Sequence, residues 1–157
     1  MNIRLRLLVL ILAILPFAYC KDGLNSICGG DYVVMLSNNS TNPICVFAYF
    51  KKDTIPIIDE KQSALPIKNG EREIVFESTD KCENYKDTVH YFIMYNDTLK
   101  RYGLKQTLDT YNVILRYSLT GDDFHKLDYT ISYPPSPAMK DMKMYPPYEE
   151  IINREQK

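Results

Sequence analysis

The sequence predicts a mainly β chain, an antiparallel β-sandwich-like domain with one or two short helices, and three observations lead there. Apolar residues recur at period two in several short runs; one run, VHYFIMY, is apolar on both faces; and clusters of Asn, Gly, Asp and Pro punctuate the runs. The pattern fills residues 31–133, the expected bounds of the sandwich.

Taken in order, strands are expected over Tyr32–Ser37 and Ile44–Phe50, with NNSTNP (Asn38–Pro43) turning between them as a hairpin. Asn69 and Gly70 form a turn before REIVFES, whose Ile74 and Phe76 are expected to point inward. In VHYFIMY, Val89, Tyr91, Ile93 and Tyr95 alternate with the equally apolar Phe92 and Met94, which marks a strand covered on both faces at the centre of a sheet. NVILRYSL sets Val113, Leu115, Tyr117 and Leu119 against Asn112, Ile114, Arg116 and Ser118, and YTISY sets Tyr129, Ile131 and Tyr133 against Thr130 and Ser132.

Helix is expected in two places. NDTLKRYGLKQTLDTYN can hold one or two turns, with Asp97 as N-cap. LTGDDFHKLD is the stronger signal: Thr120 caps, Asp123 stands at the third helical position to return the bond, and Phe124 and Leu127 share an inward face. From Pro134 the composition shifts to PPSPAMKDMKMYPPYEEIINREQK, so residues 134–157 are expected to form a proline-rich, flexible C-terminal tail.

The amino terminus predicts export. Arg4 and Arg6 precede nine apolar residues, Leu7 to Leu15, and Pro16 ends the run. Spanning a bilayer takes about 20 apolar residues, so residues 1–19 read as a signal peptide rather than a membrane helix. Two processing routes are open at its end. FAYC resembles a lipobox, which makes Cys20 a lipidated N-terminus on a tether of residues 20–30; Tyr19 and Phe17 depart from the usual small residue and Leu. In the other route a signal peptidase reads Ala18 and Cys20 as its small pair and cuts before Lys21.

Export puts Cys28, Cys45 and Cys82 in an oxidising compartment, where one disulfide and one buried thiol is the simplest partition. In the expected hairpin Cys45 lies opposite Leu36, roughly 27 Å from Cys28 at about 3.4 Å per residue, whereas a disulfide needs Cα atoms within about 7 Å. The preferred pairing is therefore Cys28 with Cys82, stabilising by about 4 kcal/mol in the chain-entropy model, with Cys45 a small core residue.

Charge and motifs exclude several functions. The net charge is −1 with no basic run after the leader, which argues against nucleic acid as a partner. The two histidines, His90 and His125, share no metal-ligand spacing, and Asp122, Asp123 and Asp128 lack the alternation of a calcium loop, so no metal and no cofactor is expected. A nucleophilic Cys45 or Cys82 served by His90 is disfavoured by oxidation, and the chain carries no nucleophile elbow, phosphate loop or dinucleotide fingerprint, so no catalytic residue is assigned. Thirteen tyrosines without tryptophan fit strand cores first and a sugar or protein contact face second.

ILRYSLTGDDFHKLDYTISYPP, with DTVHYFIMYNDTLKRYG before it, resembles the C-terminal half of a family of small uncharacterised Bacteroidota-type envelope lipoproteins. That family carries an IF-x-x-DT type strand end, a KRY-x-LT-x-x-x-L segment and an LNWTI-x-YP type ending. Leu127 to Ile131 stand on the last motif, with Asp128 in place of Asn and Tyr129 in place of Trp. The resemblance spans Asp87 to Tyr133 and implies envelope location, a lipid on Cys20 and no known reaction.

The expectation is an exported, lipid-anchored, non-catalytic binding or structural module of the bacterial cell envelope. Its partners would be the membrane, through the anchor, and a protein or glycan at the surface. An outer-membrane anchor is the favoured location, with secreted or periplasmic release the alternative. The competing function is an envelope enzyme or inhibitor-like factor without a recognisable motif.

Overall fold

The computed structural model describes residues 32–50, 62–78 and 88–155. The fold is mainly β, two sheets packed as a sandwich with short helices, as the alternation predicts. The strands are β1 (Tyr32–Asn38), β2 (Ile44–Tyr49), β3 (Leu65–Ile67), β4 (Arg72–Ser78), β5 (Val89–Tyr95), β6 (Leu115–Leu119), β7 (Thr130–Tyr133) and β8 (Met144–Tyr145). Three helices stand among the described residues: α1 (Asn96–Asp109), α2 (Gly121–Lys126) and α3 (Tyr148–Glu155).

The larger sheet runs β3-β2-β5-β6-β8, antiparallel throughout, and the smaller runs β4-β1-β7. One pairing departs from the antiparallel expectation, since β7 lies parallel to β1. The parallel register follows from the order of connections: β6, α2 and β7 carry the chain from one sheet to the other, so β7 is delivered by a crossover rather than a tight turn.

The core between the sheets gathers the inward positions of the alternating strands: Val34 and Leu36, Ile44 and Val46, Val89, Tyr91 and Ile93, Leu115, Tyr117 and Leu119, Ile131 and Tyr133. The hydroxyl of Tyr117, on the larger sheet, donates to the carbonyl of Ser132 on the smaller at 2.7 Å, so a polar group in the middle of the core is satisfied across the layers. β5 is the central strand predicted from VHYFIMY, buried on both faces from Val89 to Met94. Full burial of a large apolar side chain contributes about 1.5–3 kcal/mol. The exposed ion pairs, such as Lys140 with Glu149, contribute about 0–1 kcal/mol each, so β5 and its partners outweigh them.

Four sequence expectations change. Tyr32–Ser37 and Ile44–Phe50 form strands but not a hairpin, because β1 and β2 belong to different sheets. Asn38, fully buried, makes the bend: its amide nitrogen donates to the carbonyls of Asn42 and Ile67, and its Oδ1 accepts from the amide and hydroxyl of Ser40. A loop built on side-chain bonds to backbone turns out of the sheet plane, where a two-residue hairpin turn would have kept the strands paired. The distance that set Cys28 apart from Cys45 falls with that hairpin; Cys20, Cys28 and Cys82, and with them the lipidation site and the preferred disulfide, lie outside the described residues.

The second change is at Ile74, which is exposed rather than inward. A bulge between Val34 and Met35 pairs Val34 with Phe76 and Met35 with Ile74, leaving Val75 the extra residue. Opposed residues share a face, so Phe76 follows the buried Val34 inward and Ile74 follows Met35 outward.

Third, the segment after β5 is a fourteen-residue span of two helical pieces, longer than one or two turns, and Asp97 lies inside its first turn while Tyr95 is the N-cap. Its turns are joined across a kink at Gly103 (φ 71°, ψ 165°). By contrast α2 forms as predicted: Thr120 and Asp123 exchange the capping-box bonds, and Phe124 and Leu127 are buried.

Fourth, the proline-rich segment is folded as far as Glu155. A 3-10 turn at Pro137–Met139 buries Met139, β8 pairs with β6, and α3 buries Ile151 against the main core while Tyr133 donates to the Glu155 carboxylate at 2.8 Å. Its prolines flank elements or, like Pro137, open one, where no ladder donor is lost. Met139 and Ile151 supply the apolar contacts that a search for regular periodicity passes over.

The conformation at Gly103 is one that only glycine adopts readily, although open space surrounds the position of a Cβ. Gly103→Ala is expected to lower stability by about 1–3 kcal/mol through backbone strain alone. Urea denaturation of the two proteins checks this; an unchanged midpoint would show that the kink is not needed to seat α1.

Candidate functional site

The outward face of the larger sheet has two halves. Alternation along each strand and pairing across strands place Phe47, Phe92, Arg116 and Tyr145 in one row, and Tyr49, His90, Ser118 and Lys143 in the next. α1 covers the β2–β5 half, where Leu108, helped by Leu99 and Leu104, packs on Cys45, Phe47, Tyr49, Phe92 and Met94. Its main strand contacts are with β5 and β2.

The β6–β8 half carries the chemistry: its Ser118 is buried and Arg116 half-buried, and Tyr111, Lys143 and Tyr145 form an exposed rim beside them. Tyr111, in the turn after α1, lies over the Arg116 guanidinium with 5.9 Å from its carbon to the ring centroid. Tyr145 on β8 stands edge-to-face against Tyr111, centroids 5.8 Å apart and planes at 60°. Both rings remain open to solvent, Tyr111 at 39% and Tyr145 at 54%. The Arg116 Nε is buried without an acceptor, and none of the ion pairs among the described residues involves Arg116 or Lys143. Two cations without carboxylate partners thus flank a pair of exposed aromatic rings.

Behind them His90 is buried, its Nδ1 2.9 Å from the Ser118 Oγ. Burial, then the charges of Arg116 and Lys143, push its pKa down, so imidazole stays neutral beside two fixed cations. Burial also raises the Tyr111 phenol, against the pull of Arg116, so the ring that faces solvent carries no charge near neutral pH.

The residues considered for catalysis are not brought together. Cys45 and His90 share the outward face but stand four positions apart along their paired strands, roughly 13 Å at about 3.4 Å per residue. Cys45 is a buried free thiol whose Sγ donates to Asn96 Oδ1 at 3.4 Å, and burial raises its pKa against the opposing charge of Lys100, so thiolate is disfavoured. His125 lies exposed on α2, near Tyr129. Asp123 is held by the capping box. No three His, Cys, Asp or Glu side chains gather to hold a metal among the described residues.

Other concavities are shallower in chemistry. One of about 240 Å³ opens between Tyr95, Thr98, Asn112 and Ile151; another of about 280 Å³ continues past Tyr95 to Asn42. A third, about 310 Å³, sits at the sheet edges beside Leu65, Ile74 and Val75. Arg154, at the first of these, is already paired with Glu150, and Asp97 at the second with Lys100. Their charges are spent internally, unlike those of Arg116 and Lys143.

Core burial of Tyr91, Tyr117 and Tyr133 agrees with the strand-core reading of the tyrosines. The exposed pair is a different matter: Arg116 reads as one polar position in an alternating strand, and Tyr145 as part of a tail, so their meeting depends on β8 folding back onto β6. Comparison with known proteins yields no matching family model, no matching curated protein and no matching solved structure.

The His90 pKa sets the sign of an acid effect. An unfolded chain takes up the histidine proton near pH 6.5, the folded chain only at lower pH, so this contribution to stability is complete above about pH 6.5 and is lost as pH falls below it. His90→Gln is expected to lose less stability than the parent between pH 7 and pH 5, the gap being at most about 1.4 kcal/mol per pH unit. Denaturant titrations at the two pH values measure it; parallel losses would mean that His90 titrates alike in both states.

Proposed function

We propose that this chain is a non-catalytic binding module of the bacterial cell envelope, exported by residues 1–19 and anchored by lipid on Cys20. The observation that carries the binding role is the exposed Tyr111–Tyr145 pair over Arg116, a preformed face on a rigid sheet. Tyrosine offers a large amphipathic surface at low entropic cost, and Arg adds a directional donor fork.

The anchor rests on the sequence: the charged and apolar leader, FAYC at its end, and the resemblance of Asp87–Tyr133 to envelope lipoproteins. No helix among the described residues is long and apolar enough to cross a membrane. On this reading Cys28 and Cys82 form the disulfide of the exported chain, while Cys45 keeps its thiol. The exposed rim of Tyr111, Tyr145 and Lys143 then faces the surroundings of the envelope and meets a glycan or protein there.

Intact mass of the protein from its native membrane fraction, before and after reduction, tests the anchor. The expected species begins at a diacylglyceryl-modified Cys20 and gains two hydrogens on reduction. An unmodified chain beginning at Lys21 in the soluble fraction would replace the anchored reading with a secreted or periplasmic one. Binding is tested on envelope polysaccharide and protein fractions from the same cells. Tyr111→Ala with Tyr145→Ala is expected to weaken retention about tenfold or more, and undiminished retention would move the binding face elsewhere.

A further inference from the structure

We infer that the β6–β8 face is a site for a uronate-bearing polysaccharide, a chain of sugar rings with carboxylates. The inference rests on the binding role proposed for this face and names the class of ligand.

Two demands select the class. The exposed rings of Tyr111 and Tyr145, set edge-to-face, offer a shallow apolar platform on which the C–H face of a pyranose ring can lie. Around that platform the charge is positive and unanswered: Arg116 and Lys143 take part in none of the ion pairs among the described residues, while Lys105, Lys140 and Arg154 nearby in sequence each hold a carboxylate. Arg116 stands opposite Tyr145 and Lys143 opposite Ser118, so the two cations are diagonal neighbours with Cα atoms about 7–8 Å apart. A neutral sugar would leave both without a counter-charge; a carboxylated one supplies it at the same stretch of chain that stacks on the rings. The guanidinium can grip a carboxylate with two parallel hydrogen bonds, and Lys143, exposed, adds a point charge at the rim.

An acidic peptide meets the charge requirement but not the architecture. Peptides that dock at a sheet edge gain affinity by adding a strand to it. β8 is that edge, it is two residues long, and Pro146 and Pro147 follow it with no backbone N–H to donate. A ligand that uses ring faces and carboxylates, with no need of a backbone ladder, fits what the edge provides.

The test uses the full-length protein in detergent and four probes by calorimetry or microscale thermophoresis: alginate oligosaccharide, neutral dextran of similar length, dextran sulfate and poly-glutamate. Alginate is expected to bind at least about tenfold more tightly than the other three, with affinity falling as salt rises. Arg116→Gln is expected to lower alginate affinity about tenfold or more, from loss of charge-assisted bonds. Lys143→Gln, a substitution at an exposed side chain whose backbone alone bonds β6, serves as the variant that folds unchanged, and is expected to weaken binding several-fold. Absence of alginate binding, or alginate affinity unaltered by both substitutions, overturns the inference. Equal binding of dextran through Tyr111 and Tyr145 overturns the ligand class while leaving the binding role standing. Preference for dextran sulfate or poly-glutamate overturns it in favour of a sulfated glycan or an acidic protein.

Discussion

A strand apolar on both faces imposes the rest of this architecture. β5 cannot lie at the surface of a two-layer sandwich in the ordinary way, with one face wet, because Phe92 and Met94 on its second face would be left in water. A third layer is needed, and α1 is that layer. It follows β5 directly, at Tyr95, so the chain that creates the second apolar face immediately covers it. The helix that forms the cover is kinked at Gly103, in a backbone conformation reserved for glycine.

The cover is also partial. Leu99, Leu104 and Leu108 reach the β2–β5 half of the sheet, and on the β6–β8 half the turn after α1 brings Tyr111 over Arg116. The functional reading grows from that difference. Where α1 lies, the outward residues are Cys45, Phe47, Phe92 and Met94; on β6 and β8 they are the buried Ser118, the half-buried Arg116 and the exposed Lys143 and Tyr145. The exposed aromatic pair is left at the boundary, beside two cations that take part in none of the ion pairs among the described residues. Inside the sandwich, the bond from Tyr117 to Ser132 ties the strand that presents Arg116 to the smaller sheet, which holds the site on a fixed scaffold.

The parts of this plan written in local pattern were legible. Period-two runs located the strands, the continuous apolar run of β5 marked the centre of its sheet, and the spacing of Thr120 and Asp123 identified a capping box that forms. What escaped depends on contacts distant in sequence. Nothing in NNSTNP distinguishes a hairpin turn from a bend between sheets except how Asn38 bonds to Ile67, far along the chain. The bulge that turns Ile74 outward is a property of two strands together. The proline-rich segment suggested a loose tail because its anchors, Met139 and Ile151, are single residues that matter only once β7 and the core exist to receive them. The candidate site escaped for the same reason: half of it, Tyr145 and Lys143, lies in that segment.

A ligand is held at the exposed rim of β6 and β8, where Tyr111, Tyr145 and Lys143 stand beside the half-buried Arg116. Chemical-shift mapping of the uniformly labelled protein, following backbone amides together with Arg Nε–H and Tyr ring signals during titration with alginate oligosaccharide, tests it most directly. The account predicts shifts confined to Tyr111, Arg116, Ser118, Lys143 and Tyr145, with the smaller sheet and the Tyr95 cavity silent. Shifts centred on Tyr95, Asn112 and Arg154, or spread over β4 and β1, would contradict it.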